Sequence, residues 1–254
     1  MSAILQDKAC LIIGASQGIG AAVVEEFINQ GARLVIAARN LEKMEALARP
    51  YRDKGNDIHA VRMDISDPQQ VVAGVDFTLE KLGRLDVAVN NAAVQSPVYL
   101  PFGDIELEEF DRIVDTNLRG TFVAMKAQIN AMLKSGGGSI VNISSLGGFI
   151  GFPRMGSYVA SKHGIVGLTK VAALDYAKQN IRVNTVAPGA VMTEMIAKGT
   201  ASTPEGKALI ESKVPAGRIG APLEIAKAAA WLASDAASYV TGITMPVDGG
   251  YSIP

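Results

Sequence analysis

The chain has 254 residues, 48% of them hydrophobic, with 24 Lys and Arg against 25 Asp and Glu, a net charge of −1. That suffices for a large core in one domain spanning 1–254, without the basic excess of a nucleic-acid binder. The lone cysteine, Cys10, excludes an internal disulfide, and two histidines, His59 and His163, leave a zinc cluster short of ligands.

In chain order, short apolar runs alternate with amphipathic stretches. Residues 9–13, 33–37, 58–62, 85–89, 139–143 and 182–187 read as strands. The helical patterns cover 19–30, 41–54, 68–82, a long stretch over 107–134, and 157–179. A further helix at 226–233 and a last strand at 242–247 follow. Near-continuous apolar strands separated by helices predict a doubly wound, Rossmann-type α/β fold, a parallel sheet of about seven strands covered on both faces. Ser135-Gly136-Gly137-Gly138 reads as a turn returning the long helix to the next strand. The stretch 191–217 is less periodic and is the candidate for a mobile lid. No signal pattern opens the chain and no apolar run approaches the ~20 residues that cross a bilayer. A cytoplasmic protein with no membrane or nucleic-acid partner is expected.

Ligands of open parallel sheets bind beyond the carboxyl ends of the strands, and unusual residues stand at each of those ends. The first strand runs into Gly14-Ala15-Ser16-Gln17-Gly18-Ile19-Gly20. Glycines there let the backbone approach a pyrophosphate, and the following helix offers free N–H groups. At the second strand's end, Ala38, Arg39 and Asn40 occupy the place where an acidic residue would bind a ribose 2′-hydroxyl. A guanidinium suits a 2′-phosphate, so NADP(H) is favoured, with NAD(H) as the alternative. Asp64, followed by Ile65, is placed to accept a hydrogen bond from an adenine amino group. The next ends carry Asn90-Asn91-Ala92-Ala93, Ser144-Ser145 and Pro188-Gly189.

Tyr158 and Lys162 stand one helical turn apart on one face. An ammonium there lowers the phenol pKa toward neutrality, making Tyr158 a usable proton donor and acceptor. His163 points off that face and His59 reads as a surface or edge residue.

With Asn117 and Thr193 in order between and after these motifs, the chain resembles the short-chain dehydrogenase/reductases over nearly its whole length. The resemblance implies Tyr158 as acid/base, Ser145 as the hydroxyl holding the carbonyl oxygen, and Lys162 as the partner that also binds the nicotinamide ribose. It implies that Asn117 holds a water relaying protons from Lys162 to solvent. Asn91 would contact the cofactor ribose, Val114 would pack near it, and Val191 and Thr193 would hold the carboxamide. Ile13 and Ala93 depart from the family pattern, where threonine and glycine are usual. Gln95, Leu146, Phe152, Met155, Met192 and Met195 would surround the substrate carbonyl in an adaptable apolar pocket, with Arg154 on its surface. The expected reaction is hydride transfer between NADP(H) and a ketone or 3-oxoacyl-type substrate, by a homotetramer that needs no metal. The alternatives are an NAD-dependent sugar or polyol dehydrogenase and a non-catalytic cofactor sensor.

Overall fold

The computed structural model describes residues 3–199 and 201–253. Seven strands make one sheet: β1 (Ala9–Ile13), β2 (Arg33–Ala38), β3 (Ile58–Arg62), β4 (Val87–Asn90), β5 (Gly138–Ile143), β6 (Ile181–Pro188) and β7 (Thr244–Val247). All neighbours pair in parallel, in the order β3-β2-β1-β4-β5-β6-β7. Parallel neighbours need crossovers. These are supplied by α1 (Gly18–Asn29), α2 (Leu41–Arg52), α3 (Pro68–Leu82), α4 (Leu107–Val114), α5 (Gly120–Ser135), α6 (Gly156–Tyr176), α7 (Glu194–Lys198), α8 (Pro204–Glu211) and α9 (Pro222–Ala233). The strand order reverses between β1 and β4, which opens a crevice above their carboxyl ends.

The two faces follow the period of two along each strand. On β1, Cys10 and Ile12 enter a core with Val23 and Phe27 of α1 and Ala226 and Ala230 of α9. Ala9, Leu11 and Ile13 enter the opposite core with Val71 and Val75 of α3 and Ala124 and Met132 of α5. Phe27 is fully buried, so its truncation to alanine would cost about 3–5 kcal/mol. The alanine-rich face of α9 is thus consumed within the chain, against α1.

Two expectations change in detail. The single helix over 107–134 is two helices joined by a π-turn at Asp115–Arg119. That wider turn, of a kind common at functional sites, carries Asn117 fully buried. The last strand begins at Thr244 because Gly242, at φ 78°, turns the chain just before it.

A buried polar row ties the strand ends together beneath the crevice. Asn90 Nδ2 donates to Asn142 Oδ1 (2.9 Å) and Gln128 Oε1 (3.0 Å). Asn142 Nδ2 donates to Thr169 Oγ1 (2.9 Å), which also receives the Thr185 hydroxyl (2.8 Å). Satisfied networks of this kind fix one arrangement, here of β4, β5 and β6 against α5 and α6.

Candidate active site

The β1–α1 turn is held by its own backbone. Gly14 N donates to Ala37 O (2.8 Å) and Gly14 O accepts from Asn91 Nδ2 (2.8 Å). Gly14 sits at φ 84°, and a Cβ there would lie 2.5 Å from Ala92 N. A Cβ on Gly20 would strike the Gly14 carbonyl oxygen, so Gly20 serves closure of the turn and does not itself line the crevice. Gln17, at the N-cap of α1, places no side chain on the helix end. The first-turn N–H groups of α1 therefore remain available to an anion.

The catalytic candidates converge from β5 and α6. Ser145 leaves β5 in extended geometry and accepts Gly147 N–H at 3.1 Å, capping a short 3-10 turn at Leu146–Gly148. The adjacent Ser144 hydroxyl donates to Lys162 O (3.1 Å), locking β5 to α6. Tyr158 is half-buried, with the Ser145 hydroxyl and the Gln95 side chain in hydrogen-bonding reach. Lys162 is buried, its Nζ donating to Ile143 O (3.0 Å) and lying 5.6 Å from the Tyr158 ring centroid.

The expected fall in the Tyr158 pKa is corrected here. Burial pushes the phenol above its ordinary value, and the bonds to Ser145 and Gln95 moderate that rise. Lys162, whose Nζ donates to Ile143 O, is itself penalised by burial, which brings it down to about 8. Both groups are driven toward their neutral forms.

Asn117 is a fastener. Its Oδ1 accepts Val94 N–H (2.8 Å), and its Nδ2 donates to Val94 O (2.9 Å) and Ser161 Oγ (3.1 Å). Ser161 Oγ in turn donates to Tyr158 O (2.7 Å). Asn117 thus ties the loop after β4 to the turn that carries Tyr158, and both amide protons are spent on protein partners. The expected relay water finds no side-chain donor there.

One cavity of about 750 Å³ runs over these residues. Ser16, Gln17, Gly18, Ile19, Arg39 and Asn40 line one end, and Asp64 and Ile65 follow. Asn91, Ala92, Ala93, Pro188, Gly189, Val191 and Thr193 form the middle, and Gln95, Ser145, Leu146, Phe152, Met155, Tyr158 and Lys162 the other end. Val114 is not on the wall; Thr116, two residues into the π-turn, is. Met192 also falls outside the lining, and Arg154, at φ 64°, borders a separate small recess beside Tyr99. The Met195 side chain lies outside the described residues. His163 is exposed and bonded to Val159 O, and His59 to Asp57.

Sequence reasoning missed Lys43, Lys213 and Tyr251, all on the cavity wall. Lys43 was legible as the basic residue one turn beyond Arg39. Asn40 accepts its N–H (2.9 Å) in capping α2, which sets it on the same end. Neither Arg39 nor Lys43 forms an ion pair with a carboxylate within 4 Å among the described residues. Asp64 Oδ1 is taken by Ser66 N (3.0 Å) and Ser66 Oγ (2.7 Å).

A family model described as enoyl-(acyl carrier protein) reductase matches residues 14–252, from the glycine turn to beyond β7. The chain belongs to the short-chain dehydrogenase/reductases. This short-chain dehydrogenase/reductase is 43% identical to an A-factor type gamma-butyrolactone 1′-reductase (1S-forming) of Streptomyces virginiae, over 98% of this chain and 97% of that protein. It is also 43% identical to a 2,5-dichloro-2,5-cyclohexadiene-1,4-diol dehydrogenase of Sphingobium indicum, over 98% of both. A solved short-chain type dehydrogenase/reductase from Mycobacterium marinum superposes with a TM-score of 0.91 at 38% identity, covering 98% of this chain and 97% of that one. As a member of this family the chain is an oxidoreductase acting on CH–OH groups with NAD(P)(H). The residues present fit that cofactor: open N–H groups at α1 for a pyrophosphate, the cations Arg39 and Lys43 at the β2 end, and a cavity that runs from there to Tyr158. No helix among the described residues is long and apolar enough to cross a membrane.

Proposed function

We propose that this enzyme transfers hydride between NADP(H) and the carbonyl or secondary alcohol of a ketone- or 3-oxoacyl-type substrate, with Tyr158 as acid/base. The observation that carries the reading is the convergence of the Ser145 and Tyr158 hydroxyls at one end of the cavity, above the buried Lys162. The cofactor, when bound, supplies or accepts the hydride. Ser145 donates a hydrogen bond to the substrate oxygen. Tyr158, a phenol whose proton affinity burial raises further, gives that oxygen its proton in reduction and removes it in oxidation. Lys162 holds its charge close to Tyr158 and binds the nicotinamide ribose. Asn117 acts at one remove, through Ser161 and the Tyr158 carbonyl.

Arg39 and Lys43 support the choice of the phosphorylated cofactor, since unpaired cations at that end match a 2′-phosphate. Asp64 would serve the adenine, Asn91 the ribose, and Val191 and Thr193 the carboxamide. The two curated relatives are named for ring compounds, which brings cyclic carbonyls within the substrate class. Tyr158→Phe should abolish turnover while leaving cofactor binding intact; retained activity would refute the assigned proton donor. Comparing catalytic efficiency with NADPH and NADH, then repeating with Arg39→Asp, tests the cofactor assignment, which a wild-type preference for NADH would overturn.

The same reading takes segment 191–217, which contains α7 and α8 and lends Ile196, Ile210 and Lys213 to the cavity wall, as a lid that closes over bound ligands. It takes the enzyme as a cytoplasmic homotetramer. Leu107, Phe122 and Leu174, exposed at 74%, 51% and 82% on α4, α5 and α6, support a subunit contact there.

A further inference from the structure

Next to Ser145 the cavity wall is aromatic, and half of it comes from the far end of the chain. A methyl group built on Gly147 would lie 3.6 Å from both Phe152 Cδ2 and Ser145 Oγ, so Gly147 leaves open the space that the Phe152 ring and the Ser145 hydroxyl both face. The Tyr251 ring continues that wall, its centroid 6.2 Å from that of Phe152 and tilted by 44°. Both rings line the cavity.

Tyr251 is delivered by a built turn. Asp248 accepts Gly250 N (2.9 Å), Ser252 N (2.9 Å) and the Ser252 hydroxyl (2.6 Å). Gly249 and Gly250 take φ of 63° and 90°, a region that favours glycine. Their neighbours are Val214, Ala216 and Pro215, so the turn packs on the end of segment 191–217. The Tyr251 hydroxyl has no hydrogen bond among the described residues, so the ring is what this residue brings to the wall.

We infer that Tyr251, with Phe152, is a specificity-determining residue that recognises the compact apolar body of a ring-bearing ketone. This rests on the proposed carbonyl reduction and narrows its substrate. A ring whose oxygen is held by Ser145 and Tyr158 would present its face to the two aromatic side chains, gaining apolar contact that a flexible chain obtains only by ordering its rotors.

The test compares cyclohexanone with 2-hexanone, of equal carbon count, in wild type, Tyr251→Ala, Tyr251→Phe and Phe152→Leu, with melting temperature as a folding control. The expected wild-type preference is for the ring. Tyr251→Ala should raise the cyclohexanone KM about tenfold, the usual scale for lost apolar pocket contact, and raise the 2-hexanone KM much less; Phe152→Leu should shift the cyclohexanone KM in the same direction. Tyr251→Phe should behave as wild type. A wild-type preference for the linear ketone, or equal losses on both ketones in the two truncations, would overturn the inference while leaving carbonyl reduction standing. Failure of wild type to reduce either ketone would overturn the inference, and failure on a 3-oxoacyl ester as well would overturn the proposed function with it.

Discussion

Lys162 offers the sharpest test of the site's electrostatics. It is 2% exposed, its Nζ donates to Ile143 O, and burial brings its pKa to about 8 from 10.5. In the unfolded chain the amine keeps its ordinary value. Between pH 8 and 10.5 the unfolded state therefore binds more protons than the folded one, and this group makes stability rise with pH across that window. Below pH 8 both states are protonated and the whole penalty is present, about 3 kcal/mol for a gap of that size. In Lys162→Met the titration is gone. What remains is a pH-independent offset from added apolar packing and an Ile143 carbonyl without its donor, worth about 1–3 kcal/mol. The sign of the mutant's net stability change at one pH is thus not the informative quantity. Its slope is: the stability of wild type relative to Lys162→Met should rise by about 2–3 kcal/mol between pH 7 and pH 10. Urea unfolding of both proteins at four pH values, without cofactor, measures it. A difference constant to within about 0.5 kcal/mol would mean that Lys162 is not desolvated as described.

Other outcomes follow from the same geometry. Gly20→Ala puts a methyl into the Gly14 carbonyl, where the backbone has little room to shift; a loss of about 1–3 kcal/mol and weaker NADPH binding are expected in thermal melts and fluorescence titration, and an unchanged Tm would contradict the packing. Because the Tyr158 pKa is raised, its phenolate fraction grows through the neutral and mildly alkaline range. Alcohol oxidation should therefore accelerate with pH, by up to about tenfold per unit, and an oxidation optimum below pH 7 would count against Tyr158 as the base. Leu107→Glu combined with Phe122→Glu should shift the particle mass downward in light scattering if α4 and α5 meet a second subunit. Hydrogen exchange in 191–217 should slow on addition of cofactor; equal exchange with and without it would argue against a lid.

Much of the architecture was legible because local patterns and the global fold agree. The short strands at Ala9–Ile13 and Ile58–Arg62 and the Asp67-capped helix at Pro68–Leu82 appear where the sequence pattern placed them. The glycine turn, Ser145, Tyr158 and Lys162 were readable as residue types at the ends of recognisable elements. Boundaries were less so: the break at Asp115–Arg119 leaves no proline or glycine mark inside it, since it depends on Asn117 finding Val94 and Ser161.

The sequence by itself determined which groups stand at the carboxyl edge of the sheet, since strand ends and helix faces follow from local chemistry and a parallel topology. Tertiary structure alone decided what those groups do to one another. The pKa of Tyr158 rises where spacing along a helix foretold a fall, because burial is a property of the packed cavity. Tyr251 reaches Phe152 across about a hundred residues of chain, a contact that no local pattern encodes. Desolvation and long-range contact exist only after the chain has closed on itself, and in this protein they govern proton affinity and the aromatic wall of the cavity.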